Sequence, residues 1–271
     1  MATRPITFLS DYGYDDEFAG VCRAVIARIA PEATVIDLTH GIRRHGVERG
    51  AAVLANALPY TPAGIHLAVV DPGVGSPRRA VAVRAATEDR ILVGPDNGLL
   101  WPAIVRLGGA VEAADISLSD LRLEPISATF HGRDVFAPVS AHLARGVSLA
   151  EAGERTQPES LVRIDAPEPA IEAGRVRAHV VSIDRFGNSA LDLADRHLPR
   201  SGLRMGRPVT VDVAGSTRDA VFALTFADVP DGGLLLYEDS TGSLALALNR
   251  GDAAAELGLE PGAEVTLRPA D

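Results

Sequence analysis

The first half of the chain alternates short apolar runs with segments of helical spacing, and this alternation restricts the fold more than any other feature. Residues 6–9, 35–38 and 65–70 read as strands. Between them, residues 17–29 and 47–58 carry helical patterning, ended by Pro31 and Pro59. Strands separated by helices predict a mostly parallel sheet covered on both faces. Asp15 and Asp16 are placed to cap the first helix by accepting from its free N–H groups. Further on, residues 80–83 and 91–93 are β candidates. Residues 99–107 predict a helix beginning near Pro102, and residues 134–145 predict another, stopped by Gly146.

Beyond a stretch containing Pro167 and Pro169 the pattern changes. Residues 175–184, 208–213, 220–226, 233–237, 243–248 and 265–268 are short and β-like, with Gly-bearing turns between them. Short strands at regular spacing predict a small antiparallel barrel or sandwich. The expected organisation is an N-terminal α/β domain over residues 1–163, with a mostly parallel sheet between helices. A linker over 164–173 and an all-β, antiparallel barrel-like C-terminal domain over 174–271 complete it.

Composition removes several function classes. The chain has 26 basic and 36 acidic side chains, a formal charge of −10, whereas nucleic-acid binding calls for a cationic face. The one cysteine, Cys22, excludes an intrachain disulfide and reads as a small buried apolar residue. No signal-peptide pattern and no run long enough to span a bilayer occurs. The expectation is a cytoplasmic protein with neither nucleic-acid nor membrane partners. There is no P-loop and no GxGxxG after the first strand. The absence of a GxSxG elbow further lowers the odds of a serine hydrolase.

Three clusters carry chemistry. Residues 65–70 end in Asp71, followed by Pro72-Gly73-Val74-Gly75 and then Arg78. Ligands bind outside the carboxyl ends of strands in open α/β sheets, so Asp71 and Arg78 read either as a pair facing a small ligand or as an ion pair holding a turn. Phe130-His131-Gly132-Arg133-Asp134 precedes a helix; His131 reads as packed or functional, and Asp134 as a possible cap. Ser10-Asp11-Tyr12-Gly13 follows the first strand. Its neighbouring acids raise a metal site, but no matching oxygen ligands are apparent. Asp11 fits better as an acceptor for vicinal hydroxyls, as in ribose recognition. His40, His45 and His66 lack zinc spacing. Pro95-Asp96-Asn97-Gly98 reads as a turn. Asp184, Phe186 and Asn188 read as a hairpin turn, or as a carboxylate and an amide offered to a ligand.

Taken together, FLSDYGYDDEFAGV, VVDPGVGSPRRAV, GPDNGLL, FHGRDVFAPVSAHLA, IDRFGNSALDL and YEDSTGSLALALNRGDAA run in order over nearly the whole chain. They resemble the S-adenosyl-L-methionine (SAM) hydroxide adenosyltransferase family, the adenosine-forming SAM hydrolases, which are related to fluorinase and chlorinase. The resemblance implies an α/β domain followed by a β-barrel-like domain, and a homotrimer with inter-subunit active sites. It maps a catalytic Asp-Arg-His set onto Asp71, Arg78 and His131, and a ribose site onto Asp11. It also implies substrate-binding roles for Tyr12, Asp184, Phe186, Asn188, Ser240, Thr241, Asn249 and Arg250. Ser240 falls in the loop that contacts the methionine carboxylate, and Thr241 stands where halogenases carry an arginine.

The implied reaction is attack of an activated water or hydroxide on ribose C5′ of SAM, giving adenosine and L-methionine. SAM is then the substrate, with no cofactor and no metal. The halogenating relatives have tyrosines where this chain has Asp71 and His131, and a serine where it has Gly132. A carboxylate beside a halide would repel it, which favours hydrolysis. The alternatives are a halogenase-like SAM enzyme, a non-catalytic SAM or adenosine-binding protein, and a metal-dependent hydrolase using the acidic N-terminal loop.

Overall fold

The computed structural model describes residues 3–164, 168–172 and 174–270. The chain divides into two compact units, residues 1–164 and 165–271. The linker expected over 164–173 includes residues 165–167 and 173, which lie outside the described residues.

The first unit contains β1 (Ile6–Ser10), α1 (Phe18–Ile29), β2 (Val35–Thr39), α2 (Val47–Ala57), β3 (Ile65–Val69), β4 (Ala80–Ala85) and β5 (Ile91–Pro95). It continues with α3 (Trp101–Arg106), β6 (Ala110–Asp115), a π-helical turn (Gly132–Phe136) running into α4 (Ala137–Ala144), α5 (Leu149–Ala152) and β7 (Glu154–Thr156). The sheet has seven strands in the order β2-β1-β3-β5-β4-β6-β7. Side chains alternate across it as strand geometry requires. Ile6, Phe8, Leu67 and Val69 pack into one apolar layer with residues of α1 and α4. Leu9, Ala68 and Val70 pack into the other with residues of α2 and α3.

The mostly parallel sheet expected from the strand–helix alternation is instead mixed. The pairs β1–β2, β1–β3 and β3–β5 are parallel, whereas β4–β5, β4–β6 and β6–β7 are antiparallel. The connection from β4 to β5 explains the first reversal: residues 86–90 are too few for a crossover, which needs roughly a dozen. Asp15 and Asp16 do not cap α1. Its N-cap is Glu17, with no side-chain cap bond, because both aspartates lie too early in the chain to occupy the capping position. Pro102 does stand in the first turn of α3. Cys22 is buried, and burial pushes its thiol up to about 12.

The second unit contains β8 (Ala170–Glu172), β9 (Arg175–Ile183), β10 (Ser189–Ala194), α6 (Leu198–Ser201), β11 (Pro208–Val213), β12 (Ser216–Phe222), β13 (Leu234–Glu238), β14 (Ser243–Leu248), α7 (Ala253–Leu257) and β15 (Glu264–Pro269). Strands β10-β14-β13-β12-β11-β15-β9 pair in that order, and β9 pairs back to β10, closing a seven-stranded barrel. The ladders are antiparallel except β12–β13, which is parallel. Val176, Val180, Leu193, Val211, Leu236, Leu246 and Leu267 fill its core. β12 lies four residues earlier than its sequence reading, because polar Ser216–Asp219 pair with β11. Phe226 instead starts a short turn stapled by Asp228, whose Oδ2 accepts the N–H groups of Leu224 and Thr225.

Candidate active site

β1 and β3 are adjacent and parallel, with Ser10 in register with Val69. The segments leaving their carboxyl ends therefore emerge side by side, Asp11-Tyr12 from one and Asp71 from the other. Arg78 lies at the far end of the glycine turn. Its Nε donates to Asp71 Oδ1 at 2.8 Å, and its Nη2 donates to Asp71 Oδ2. The same Nη2 donates to His131 Nδ1 at 3.1 Å. The guanidinium also lies over the Phe136 ring, 5.2 Å from its centroid. Side-chain exposure is only 7% for Asp71 and 10% for Arg78. Of the two sequence readings of this pair, the ion pair is the one observed, and it is extended by an imidazole from a distant loop.

The donors fix the protonation pattern. A guanidinium has no acceptor, so His131 Nδ1 must be the unprotonated nitrogen and Nε2 must carry the ring hydrogen. Burial, and then the adjacent Arg78 charge, hold this imidazole below its usual range. It is neutral at pH 7. Tyr12 joins the cluster through Gly132. A Cβ at position 132 would collide with Tyr12 Oη and come within 3.0 Å of Cζ, so only glycine lets the phenol lie there. Burial, reinforced by Cys22, Asp11 and Asp71, holds the Tyr12 hydroxyl well above its ordinary value. Phe18 and Phe130 flank the Tyr12 ring at centroid distances of 6.0 and 5.8 Å.

The Pro95–Gly98 turn does more than reverse the chain. Asn97 Nδ2 donates to the Val70 carbonyl at 2.8 Å, immediately before Asp71. Asp96 Oδ2 accepts from Arg79 Nε at 2.9 Å, immediately after Arg78. Both ends of the Asp71–Arg78 segment are thus pinned by one turn. In the sequence this turn is marked as more than punctuation only by its adjacent carboxylate and amide, Asp96 and Asn97. Asp134 is not a helix cap. Its Oδ1 takes Arg133 Nε at 2.6 Å, and its Oδ2 accepts the Ser127 N–H at 2.8 Å, steadying the loop that carries His131.

In the second unit, Asp184 closes its own hairpin. Oδ1 accepts the N–H groups of Phe186 and Asn188 at 2.8 and 3.0 Å, and Oδ2 accepts Asn188 Nδ2 at 2.8 Å. This leaves Phe186 67% exposed. Thr241 lies in the β13–β14 turn, where Asp239 Oδ1 accepts both its N–H at 2.7 Å and its hydroxyl at 2.6 Å. Ser240 shares that turn. Asn249 and Arg250 lie beyond the other end of β14, where Asn249 Nδ2 donates to the Val229 carbonyl and Arg250 pairs with Asp231. The six residues of β14 span roughly 20 Å. The structure therefore groups Asp184, Phe186 and Asn188 in one hairpin and separates Ser240 and Thr241 from Asn249 and Arg250. Asp239, absent from the sequence reading, organises the turn that bears Ser240.

Among the described residues no group of three or more His, Cys, Asp or Glu is arranged to hold a metal ion. No helix among them is long and apolar enough to cross a membrane.

Comparison with known proteins identifies the family. Residues 6–153 match the SAM hydroxide adenosyltransferase N-terminal domain, and residues 178–266 match its C-terminal domain. The chain is 48% identical to an (R)-S-adenosyl-L-methionine hydrolase of Salinispora tropica, covering 97% of each chain. A fluorinase of Nocardia brasiliensis is more distant, at 28% identity over 98% of this chain and 97% of its own length. A crystal structure of an uncharacterized conserved protein from Thermotoga maritima superposes with a TM-score of 0.89 at 36% identity, covering 97% of this chain and 99% of that one.

Proposed function

This chain belongs to the SAM hydroxide adenosyltransferase family and hydrolyses S-adenosyl-L-methionine to adenosine and L-methionine, and we propose that it does so at the Asp71–Arg78–His131 cluster. A bound water or hydroxide attacks ribose C5′ in line with the departing sulfur. The sulfonium leaves as a neutral thioether, so the leaving group requires neither a proton nor a metal, and SAM and water are the only small molecules needed. The demand falls on the nucleophile, because hydroxide is scarce at neutral pH.

The single observation that carries this reading is Arg78 Nη2 shared between Asp71 and His131. It commits Nδ1 of the imidazole, so His131 meets a water as a donor through Nε2. Asp71 retains lone pairs beyond those used by Arg78 and takes the proton. Arg78 and His131 together stabilise hydroxide character. General-base help contributes about 10²–10⁴-fold, and alignment of the water within about 3–3.5 Å of the carbon contributes further.

Asp11 holds the ribose hydroxyls, and Tyr12 packs beside them. Asp184, Phe186, Asn188, Asn249 and Arg250 contribute to the nucleoside and methionine sites, with Ser240 and Thr241 at the methionine carboxylate. The relatives' name supports the R epimer at sulfur as the substrate. The enzyme acts in the cytoplasm as a homotrimer with inter-subunit active sites.

Incubation with SAM in ¹⁸O-labelled water tests the reaction: the label enters the adenosine 5′-hydroxyl, and added chloride or fluoride yields no 5′-halo-5′-deoxyadenosine. Unlabelled adenosine, or a halogenated product, overturns the assignment. Asp71→Ala and His131→Ala each reduce turnover strongly while SAM still binds; full activity in both removes the cluster from the mechanism.

A further inference from the structure

We propose that His40 is a positioning residue for the substrate, gripping the Ser10–Gly13 segment from behind so that Asp11 presents its carboxylate to the ribose. The inference rests on the ribose assignment of Asp11 given above. His40 follows β2 and is 1% exposed. Its Nδ1 lies 2.7 Å from the hydroxyl of Ser10, itself fully buried. That hydroxyl accepts the Tyr12 N–H at 3.3 Å, and the His40 carbonyl accepts the Gly13 N–H at 2.8 Å. One residue therefore holds the chain on both sides of Asp11. A few residues later His45 donates its N–H to Asp11 Oδ2 at 3.1 Å.

The ring is oriented from every side. Phe8 and Tyr14 meet it edge-on at centroid distances of 4.5 and 5.3 Å. Nε2 faces Asp37 Oδ1 at 3.4 Å, and Asp37 Oδ2 accepts from Arg23 Nη1 at 2.9 Å. An ionised carboxylate only accepts, so Nε2 carries the ring hydrogen. Nδ1 then accepts the Ser10 O–H, which leaves the Ser10 oxygen to accept from Tyr12. This directional chain needs a neutral imidazole, and burial, helped by the Arg23 charge, holds the ring below its usual range although Asp37 pulls the other way. The contact between Nε2 and Asp37 Oδ1 falls short of a hydrogen bond, so the grip on the Asp11 segment comes through Nδ1 and the carbonyl.

The test compares His40→Ala, His40→Asn and Ser10→Ala for kcat, for KM with SAM, and for inhibition by adenosine against 2′,3′-dideoxyadenosine. Asparagine can place an acceptor where Nδ1 stands; alanine cannot. In His40→Ala, KM rises about tenfold, the scale of one lost hydrogen bond, kcat changes far less, and the preference for adenosine over its dideoxy analogue falls. His40→Asn recovers most of both. Ser10→Ala reproduces the defect, and the double variant is no worse than either single one. Unchanged KM and preference in His40→Ala overturn the proposal, as does a His40→Asn variant no better than His40→Ala. If circular dichroism shows His40→Ala unfolded, Ser10→Ala decides: unchanged KM overturns the proposal. Asp11→Ala separates the premises. If it keeps the adenosine preference, the ribose reading fails; if it loses the preference while His40→Ala keeps it, only the role of His40 fails.

Discussion

Replacing Arg78 with methionine removes the charge from a buried ion pair while keeping most of the aliphatic bulk. Asp71 is then left 7% exposed with no cation. Losing one partner of a buried pair costs about 3–5 kcal/mol. A second limit applies independently. A stranded carboxyl escapes by taking a proton, and for an ordinary aspartate near 3.9 this costs about 4 kcal/mol at pH 7 and about 1.5 kcal/mol at pH 5. Loss of the guanidinium from the Phe136 face adds about 0.5–1 kcal/mol at either pH. Urea unfolding should therefore show Arg78→Met destabilised by about 4–5 kcal/mol at pH 7 but only about 2–2.5 kcal/mol at pH 5, each against wild type at the same pH. His131, freed of the Arg78 charge that holds its proton affinity down, pushes in the same direction; a His131→Gln background removes that contribution. The double variant Asp71→Asn/Arg78→Met should recover most of the loss and show little pH dependence. Equal destabilisation at both pH values, or no recovery in the double variant, refutes the buried-charge argument.

Asn97→Ala releases the Val70 carbonyl at the root of the Asp71 segment; kcat should fall at least about tenfold with little change in KM, because the misplaced group acts on the reacting atoms and not on substrate affinity. Asp71→Asn should make the enzyme sensitive to chloride at constant ionic strength, since removing a unit charge ~5 Å away at an effective dielectric of ~20 is worth about 3 kcal/mol, or roughly a hundredfold in chloride affinity; an inhibition constant equal to that of wild type counts against carboxylate exclusion of halides. Buried His66, held down to about 3 from 6.5 by burial and then Arg90, favours the folded state above pH 6.5, and that contribution is lost as pH falls from 6.5 toward 3. Between pH 7 and 4.5 this residue should account for about 2–3 kcal/mol of lost stability, a loss that His66→Gln lacks in urea titrations.

The elements most legible in the sequence were those whose pattern is locally sufficient. β1, β2 and β3 are apolar runs closed by turn residues, and β11 and β14 occupy the residues their alternation indicated. Ala-Val-Glu-Ala-Ala-Asp and Ser-Ala-Leu-Asp-Leu-Ala carry no strand signature of their own; β6 becomes a strand through ladders with β4 and β7, remote in the chain, and β10 through its hairpin with β9 and a ladder with remote β14. The same distinction separates the site residues. Asp71, Arg78 and Asp11 sit in motifs that announce themselves at strand ends, and His131 sits in one at a helix entrance. The groups that aim them do not. Asn97 and Val70, or His40 and Ser10, are about thirty residues apart, and their pairing follows from strand order.

Sheet order also explains why the aiming groups stand where they do. β1 lies between β2 and β3, and β3 lies between β1 and β5. The segment after β1 is held from the neighbouring strand end by His40, which follows β2. The segment after β3 is held by Asn97 after β5. Each carboxylate-bearing segment is thus fixed by a polar side chain from beyond the next parallel strand, on the side away from the other segment. Folding the parallel half of the sheet therefore brings Asp11 and Asp71 side by side and orients both before any substrate arrives, so little ordering is left for the reaction itself. The antiparallel half contributes differently: Arg79, at the entrance to β4, is tied to Asp96 at the end of β5. Had β4 run parallel, Arg78 would enter at the opposite end of the strands, away from Asp71. The reversal that the strand–helix alternation failed to indicate is what delivers the guanidinium to the carboxylate.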